Sequence, residues 1–367
     1  LKTVCLIGLG NIGSPLASLL ARLTELVGKI ILIDGDSYDR SNLSSQEIAV
    51  RDVGKPKVIA TADRLRQINS ELEVVPLQRQ VEELPRGIFR VDVMLAALDS
   101  LRARTFVNEI ATRLKLPWVD AGVESDGRLV RVSAYRPSSD AACLECSLSE
   151  EAYNTMDQVL PCAGDPADPR AAEAPSTGAP AYLGALAASL AAAECEHILH
   201  GRWDESLAGR ELVMSAQHHT HFVTNLGPNP RCRFDHQSWA LEKLESRPHD
   251  ISLKQVLDGR LLAGDRDGGN GRVELRVEPH RFVTKTRCDK CRYAGDVLFL
   301  SGRTTNTQCS VCRGSMVPQH FYTLDRLAAD ALPDHMLRRS LADVGLQQGD
   351  VFSLSAGTLE RHFELRA

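Results

Sequence analysis

Residues Thr3 to Lys57 constrain this chain more than any other stretch. Thr3-Val-Cys-Leu-Ile7 is a short apolar run, β-branched enough for a buried parallel strand, and Gly8, Gly10 and Gly13 follow at G-x-G-x-x-G spacing. A helical pattern then begins, with Ile12, Leu16, Leu19, Leu20 and Leu23 on one face and Pro15 in the first turn, where a missing N–H costs little. A second apolar strand, Lys29-Ile-Ile-Leu-Ile33, delivers Asp34 about twenty residues beyond the last glycine. In such a βαβ unit the glycines let backbone approach phosphate, the helix N-terminus faces anionic charge, and the acid takes ribose hydroxyls. The fingerprint predicts a nucleotide site and leaves the nucleotide open.

The doubly wound pattern continues downstream. Ile59, Ala62, Leu65 and Ile68 make one helix face, and strands are predicted over Leu72–Leu77, Val91–Leu98, Pro117–Val123 and Gly127–Tyr135. Glu211–Val223 reads as one further strand, with His219 and His221 on a polar face rather than in a metal site. Asp99 ends the Val91–Leu98 strand, where open α/β sheets place their ligands, although an aspartate there also suits a helix N-cap. The expected fold class is α/β: a doubly wound, mostly parallel Rossmann-like sheet.

The residues after Asp34 narrow the nucleotide. Asp34-Gly-Asp36 is followed by Arg40-Ser-Asn-Leu43, Gln46 and Gly54-Lys-Pro-Lys57. This run resembles the ThiF/MoeB/HesA superfamily of adenylating enzymes, which includes the ubiquitin-activating enzymes, with its D-x-D, S-N-L-x-R-Q and G-x-P-K segments. Asp99-Ser-Leu-Arg-Ala-Arg104 resembles the family's D-n-x-x-x-R segment. The resemblance covers roughly residues 1–236 and implies ATP as the nucleotide. Asp34 would then hold the ribose, Asn42 and Gln46 would lie near the phosphates, Lys57 would offset their charge, Asp36 would also belong to the nucleotide site, and Asp99 would bind catalytic Mg²⁺. The arginine of S-N-L-x-R-Q is Ser45 here, and Arg51 is the expected substitute in the phosphate grip.

Ten cysteines are not spaced as a disulfide framework; Cys143/Cys146, Cys288/Cys291 and Cys309/Cys312 are C-x-x-C pairs, which read as metal thiolates in a reducing cytosol. The first pair needs two more ligands for Zn²⁺. The resemblance places them after Asn229-Pro, as Cys232 and His236; otherwise those two are unrelated surface residues and the pair is a redox motif. Residues about 150–180 lack core-forming composition and read as a mobile crossover loop before an alanine-rich helix from about Ala181 to His200. In ubiquitin-activating enzymes that loop carries the thioester cysteine, which makes Cys162 the expected nucleophile, with Cys195 the next candidate; otherwise Cys162 is a bystander thiol, as in family members that stop at the adenylate. Cys5 and Cys195 otherwise read as packing.

A chain of 367 residues exceeds one compact core. The expected division is 1–245, the adenylation domain, and 246–367. In the latter, Cys288/Cys291 and Cys309/Cys312 resemble a zinc ribbon over about 285–316. Helices are predicted over Ile251–Leu262 and His335–Leu346. A net charge of −5 without a basic run disfavours nucleic acid and anionic membrane as partners, and no apolar stretch reaches spanning length. Because the first strand starts almost at Leu1, sequence preceding it is expected, including any targeting segment and the N-terminal arginine that dimeric family members lend a partner.

Together these features predict ATP-dependent adenylation of the C-terminal glycine of a ubiquitin-like or sulfur-carrier protein, followed by transfer to Cys162 as a thioester. The expected setting is a cytoplasmic homodimer that passes its product to a conjugating enzyme or takes sulfur from a donor. Two competitors stay open: a zinc-containing NAD-dependent oxidoreductase, and a catalytically impaired scaffold, for which Ser45 is the argument.

Overall fold

The computed structural model describes residues 1–157, 178–262, 272–303 and 308–366, and the chain forms two compact units. The first comprises residues 1–82 and 89–238, the second residues 83–88 and 239–367.

In the first unit, β1 (Lys2–Ile7), β2 (Val27–Ile33), β3 (Glu73–Leu77), β4 (Val93–Ala96) and β5 (Trp118–Glu124) pair in parallel in the order β3-β2-β1-β4-β5. Three antiparallel strands extend the sheet: β6 (Leu129–Tyr135), β7 (Arg210–Ser215) and β8 (Thr220–Asn225). The strand order reverses between β1 and β4, which opens a crevice at their carboxyl ends.

Helices α1 (Gly13–Leu20), α2 (Lys57–Ile68) and α5 (Ala181–Leu199) share one core with the sheet, in which Leu6, Leu16, Leu32, Leu65, Val119, Val132 and Leu183 are buried. Each fully buried leucine there contributes on the order of 2 kcal/mol. Alanines on α5 let it lie close to β5 and β6. Helix α3 (Leu101–Leu114) packs against β4, and its Arg104 reaches Asp120 on β5. Asp120 alternates with the core residues Val119 and Ala121, so α3 covers the opposite sheet face. None of the described helices is long and apolar enough to cross a membrane.

Several expectations are corrected. The 211–223 stretch is a hairpin, not one strand: β7 and β8 flank a turn in which His219 adopts φ +53°, so His219 and His221 do not share a strand face. Residues 150–157 form α4 (Glu150–Asp157) rather than loop, anchored by Tyr153, whose hydroxyl donates to Glu145 at 2.9 Å. Cys162 lies outside the described residues.

The second unit begins at 239 rather than 246, because β9 (Leu241–Leu244) pairs in parallel with the last strand, and it also takes in residues 83–88. Its larger sheet combines β9 with β10 (Glu274–Arg276), β15 (Leu327–Ala328), β16 (Val351–Ala356) and β17 (Leu359–Leu365). The smaller sheet holds β11 (Phe282–Cys288), β12 (Ala294–Leu300), β13 (Met316–Pro318) and β14 (Thr323–Leu324).

Two helices there are shorter than predicted. Helix α6 (Leu253–Leu257) starts at a Ser252/Gln255 capping box and stops before Gly259 at φ +82°. Helix α7 (Asp334–Leu337) gives way because the Arg339 carbonyl and Leu341 N–H pair with residues 251–253 instead of continuing the helix. Met336, Leu341, Val344 and Leu346 are nevertheless buried, so the apolar spacing reflects core positions.

Candidate functional site

The glycine loop is fixed by close approach. Gly8 sits at φ +88°, where a Cβ would overlap the Ala97 carbonyl, and a Cβ on Gly13 would overlap the Gly8 carbonyl oxygen. Gly10 faces open space. Beyond the loop opens a cleft of about 610 Å³ at the carboxyl ends of β1, β2 and β4. Gly8, Gly10, Asp34, Asp36, Asn42, Gln46, Lys57 and Asp99 all line it, and Gly13 opens α1 behind it.

Asp34 is held at both oxygens: the Leu9 N–H donates to Oδ2 at 2.7 Å and the Asp36 N–H to Oδ1 at 2.8 Å. Burial pushes its carboxyl above the usual carboxylate range, against the opposing pull of Lys57 and those two donors. Lys57, buried in the first turn of α2, donates Nζ to Asp36 Oδ2 at 2.9 Å. Burial alone would lower its pKa, but Asp34 and Asp36 together outweigh it, and the ammonium is held charged. Asn42 lies in a 3₁₀ turn capped by Asp39; its Oδ1 accepts the Asp39 N–H at 3.0 Å, which orients the amide. Asp99 is exposed at the cleft, and the cap of α3 is Ser100, whose hydroxyl accepts the Ala103 N–H. Asp99 is therefore not spent on capping.

Arg51 does not reach this cleft. It sits in a 3₁₀ turn and lines a separate hollow of about 280 Å³ with Lys55, Asp63 and Arg64. Ser45 lines the main cleft but brings no cation; among the described residues the positive charges lining it are Lys57, Arg79 and Arg104. Arg104 is engaged: Nε and one terminal nitrogen donate to the Leu98 carbonyl at 3.0 and 2.5 Å, and the other donates to Asp120 at 2.6 Å.

Asn11 and residues 178–180 also line the cleft. Asn11 Nδ2 donates to the Ala179 carbonyl at 2.9 Å, tying the segment that leads into α5 to the glycine loop. Among the described residues Asn11 Oδ1 and Gln46 Oε1 are buried without hydrogen-bond partners, two acceptors that suit the hydroxyl and amino donors of a nucleoside. The sequence signal for Arg79, a cation just past a strand's carboxyl end, was readable; Asn11 occupies a variable position of the glycine motif and carried none.

The thiol pairs fall into two groups. Cys143 Sγ lies 3.9 Å from Cys146 Sγ, 3.8 Å from Cys232 Sγ and 3.5 Å from His236 Nε2. These match the edges of a tetrahedron about a Zn²⁺ bound at about 2.3 Å, roughly 3.8 Å between sulfurs. In the second unit Cys288, Cys291, Cys309 and Cys312 form a like group, with Cys288 and Cys312 at 3.4 Å and Cys291 and Cys309 at 3.5 Å. In each group all four ligand atoms lie within 4.8 Å of one another, a donor set that fits Zn²⁺.

The fold is that of a Rossmann-like α/β protein, with its cleft at the switch in strand order. Residues 2–234 match the ThiF family, and the chain belongs to it. It is 31% identical over 146 residues to the sulfur carrier protein ThiS adenylyltransferase of Escherichia coli (strain K12), covering 39% of this chain and 57% of that one. It is 28% identical over 160 residues to ubiquitin-like modifier-activating enzyme 5 of Aedes aegypti, covering 40% of each. The chain thus spans about half the length of these relatives. Among solved structures, Escherichia coli MccB with ATP superposes with a TM-score of 0.51 at 23% identity, covering 64% of this chain and 66% of that one, a likeness of fold.

Proposed function

We propose that this protein adenylates the C-terminal carboxylate of a ubiquitin-like or sulfur-carrier protein, using ATP. The observation that carries this reading is the convergence of Asp34, Asn42, Lys57 and Asp99 on one cleft. A dehydrogenase needs the first of these and has no use for the rest. The names of the relatives, a sulfur-carrier adenylyltransferase and a modifier-activating enzyme, support the same class of substrate.

A carboxylate is a poor acyl donor. One of its oxygens attacks the α-phosphorus of ATP, the bond to the bridging oxygen breaks, and pyrophosphate leaves with the electron pair, giving a mixed carboxylic–phosphoric anhydride. Asp34 would take the ribose hydroxyls, with its carboxylate pre-oriented by Leu9 and Asp36. Lys57 would exchange its partner Asp36 for phosphate oxygen, and Asn42 would donate from its fixed amide. Asp99 would hold Mg²⁺, which when bound offsets phosphate charge. The two thiol groups would each hold a structural Zn²⁺, since each supplies the four protein ligands of a closed tetrahedral site.

Cys162 would accept the acyl group as a thioester, releasing AMP, after which a conjugating enzyme or a sulfur donor acts on the product; two copies of the chain would work together. Mass spectrometry after incubation with ATP, Mg²⁺ and a protein ending in Gly-Gly tests these steps. A thiol-labile adduct lost in Cys162→Ala is expected. Pyrophosphate release with no adduct would leave adenylation without the thioester, and neither would contradict an activating role altogether.

Ser45 favours a second reading, a scaffold that binds ATP without turnover, because it stands in the cleft where the family pattern has its arginine. ATP binding without pyrophosphate exchange would select it.

A further inference from the structure

One helix touches both halves of the first thiol cluster and also starts at the cleft. Asp99 immediately precedes the cap of α3, and Arg104 in its first turns fastens the Leu98 carbonyl, which holds the backbone on which Asp99 sits. One turn further along, the fully buried Asn108 accepts the Leu144 N–H at 3.0 Å and donates to Glu145 at 3.4 Å, gripping the knuckle between Cys143 and Cys146. Near the helix end Arg113 grips the other half. Its two terminal nitrogens meet Asp235 at 2.5 and 3.1 Å, one also donates to the Gln237 carbonyl at 2.7 Å, and its guanidinium lies 4.8 Å from the centre of the Phe234 ring. Cys232 and His236 belong to this same segment.

These contacts have unequal reach. The two ligand pairs are 89 residues apart in sequence between Cys143 and Cys232, yet they meet on one helix. An α-helix resists compression along its axis, so whatever fixes Asn108 and Arg113 also fixes the axial position of its start. The ligands of the cleft divide accordingly. Asp34 directly follows β2 and Lys57 opens α2, which make none of these contacts with the cluster, whereas Asp99 directly precedes the cap of α3.

We infer that α3 is a strut through which the Cys143–Cys146–Cys232–His236 centre sets the position of Asp99, with Asn108 and Arg113 as the positioning residues. This rests on the nucleotide reading above, and it makes the metal centre a determinant of Mg²⁺-dependent binding at the cleft rather than of fold alone. Neither residue lines the cleft.

The test uses the full chain loaded with Zn²⁺ and two readouts: zinc release to a chromogenic chelator, and affinity for a fluorescent ATP analogue with Mg²⁺ or with Mg²⁺ omitted. Asn108→Ala and Arg113→Met are expected to speed zinc release by about tenfold or more, with Arg113→Lys intermediate, as residues supporting metal ligands do. Stripping zinc from the unmodified protein is expected to weaken Mg²⁺–ATP binding by about tenfold while leaving binding without Mg²⁺ unchanged, since a small misplacement of one group carries a cost of this order. A stripped, natively folded protein that binds Mg²⁺–ATP as before would overturn the inference. If stripping unfolds the protein, Arg113→Met with its zinc still bound decides: weakened Mg²⁺–ATP binding supports the strut, and unchanged binding overturns it. Failure of the unmodified protein to bind ATP at all is a separate result, which removes the nucleotide reading itself.

Discussion

Lys57 is fastened to Asp36 twice: its ammonium donates to the Asp36 carboxylate at 2.9 Å, and its backbone N–H donates to the Asp36 carbonyl, also at 2.9 Å. The start of α2 is thereby locked to the turn after β2, and a charged ammonium is held beside an acid that solvent can claim, since the Asp36 side chain is 63% exposed. Lys57→Met is expected to lower pyrophosphate exchange by about a hundredfold, the usual consequence of removing one transition-state contact. Stability should change by less than about 1 kcal/mol, because the lost ion pair has one solvated partner. Exchange rates together with a urea melt check both, and an unchanged rate would remove Lys57 from the phosphate site.

Asp120 is fully buried and accepts Arg104 at 2.6 Å and Arg131 at 2.5 Å. Asp120→Ala leaves two guanidinium groups facing each other without their shared counter-charge. Such half-broken buried pairs cost about 3–5 kcal/mol. Arg131 retains Glu211 at 3.2 Å and is 30% exposed, so the lower end of that range is expected by chemical denaturation of the first unit. A loss below about 1 kcal/mol would place this cluster among ordinary surface ion pairs.

His280 gives the second unit an acid sensitivity. Its Nδ1–H meets the Ser301 carbonyl at 2.8 Å, and Nε2 accepts the Arg303 Nε–H at 3.1 Å, so the ring is held neutral. Burial first, and then the Arg303 charge, lower its pKa from 6.5 to about 4. Above pH 6.5 neither folded nor unfolded chain protonates this ring. As pH falls from there to about 4, the unfolded chain takes up a proton that the folded one refuses, and stability declines by at most about 1.4 kcal/mol per unit. Asp350, which burial raises, acts in the opposite sense. Denaturation midpoints of the second unit should therefore fall between pH 7 and pH 5, and His280→Gln should flatten the slope. An equal slope in both proteins would locate the sensitivity elsewhere.

The sequence made the βαβ unit legible because each of its parts follows from local rules: an apolar run, glycines at positions that admit no Cβ, and an acid at a strand end. Cys143, Cys146, Cys232 and His236 could be assembled only through the family resemblance, since spacing alone links neighbours and not residues 89 apart. What stayed hidden was set by tertiary contact. The Arg51 assignment failed because charge and proximity in sequence do not say which hollow a turn faces. The His335–Leu346 periodicity recorded burial correctly, but backbone pairing with residues 251–253 competed successfully with helix continuation. The inclusion of residues 83–88 in the second unit, through the Gly87 N–H to the Gly349 carbonyl at 2.8 Å, has no local signature at all.

The two thiol centres should be separable by substitution. Cys288→Ser is expected to remove one zinc and loosen the small sheet around β11 and β12, leaving pyrophosphate exchange near normal. Cys143→Ser should remove the other and destabilise the first unit, whose α3 and 229–236 segment meet at that centre. Elemental analysis of freshly reduced protein should find about two zinc ions per chain, as two complete donor sets require. One ion or none would contradict the assignment.

The most direct test of the central claim is the exchange of labelled pyrophosphate into ATP, measured with and without a protein ending in Gly-Gly and repeated with Asp99→Ala. Exchange that requires both Mg²⁺ and the carrier, and that falls by about a hundredfold or more in Asp99→Ala, is the expected result. Exchange that is absent with every ubiquitin-like and sulfur-carrier protein supplied, in a preparation that binds ATP, would contradict adenylation and leave a nucleotide-binding scaffold.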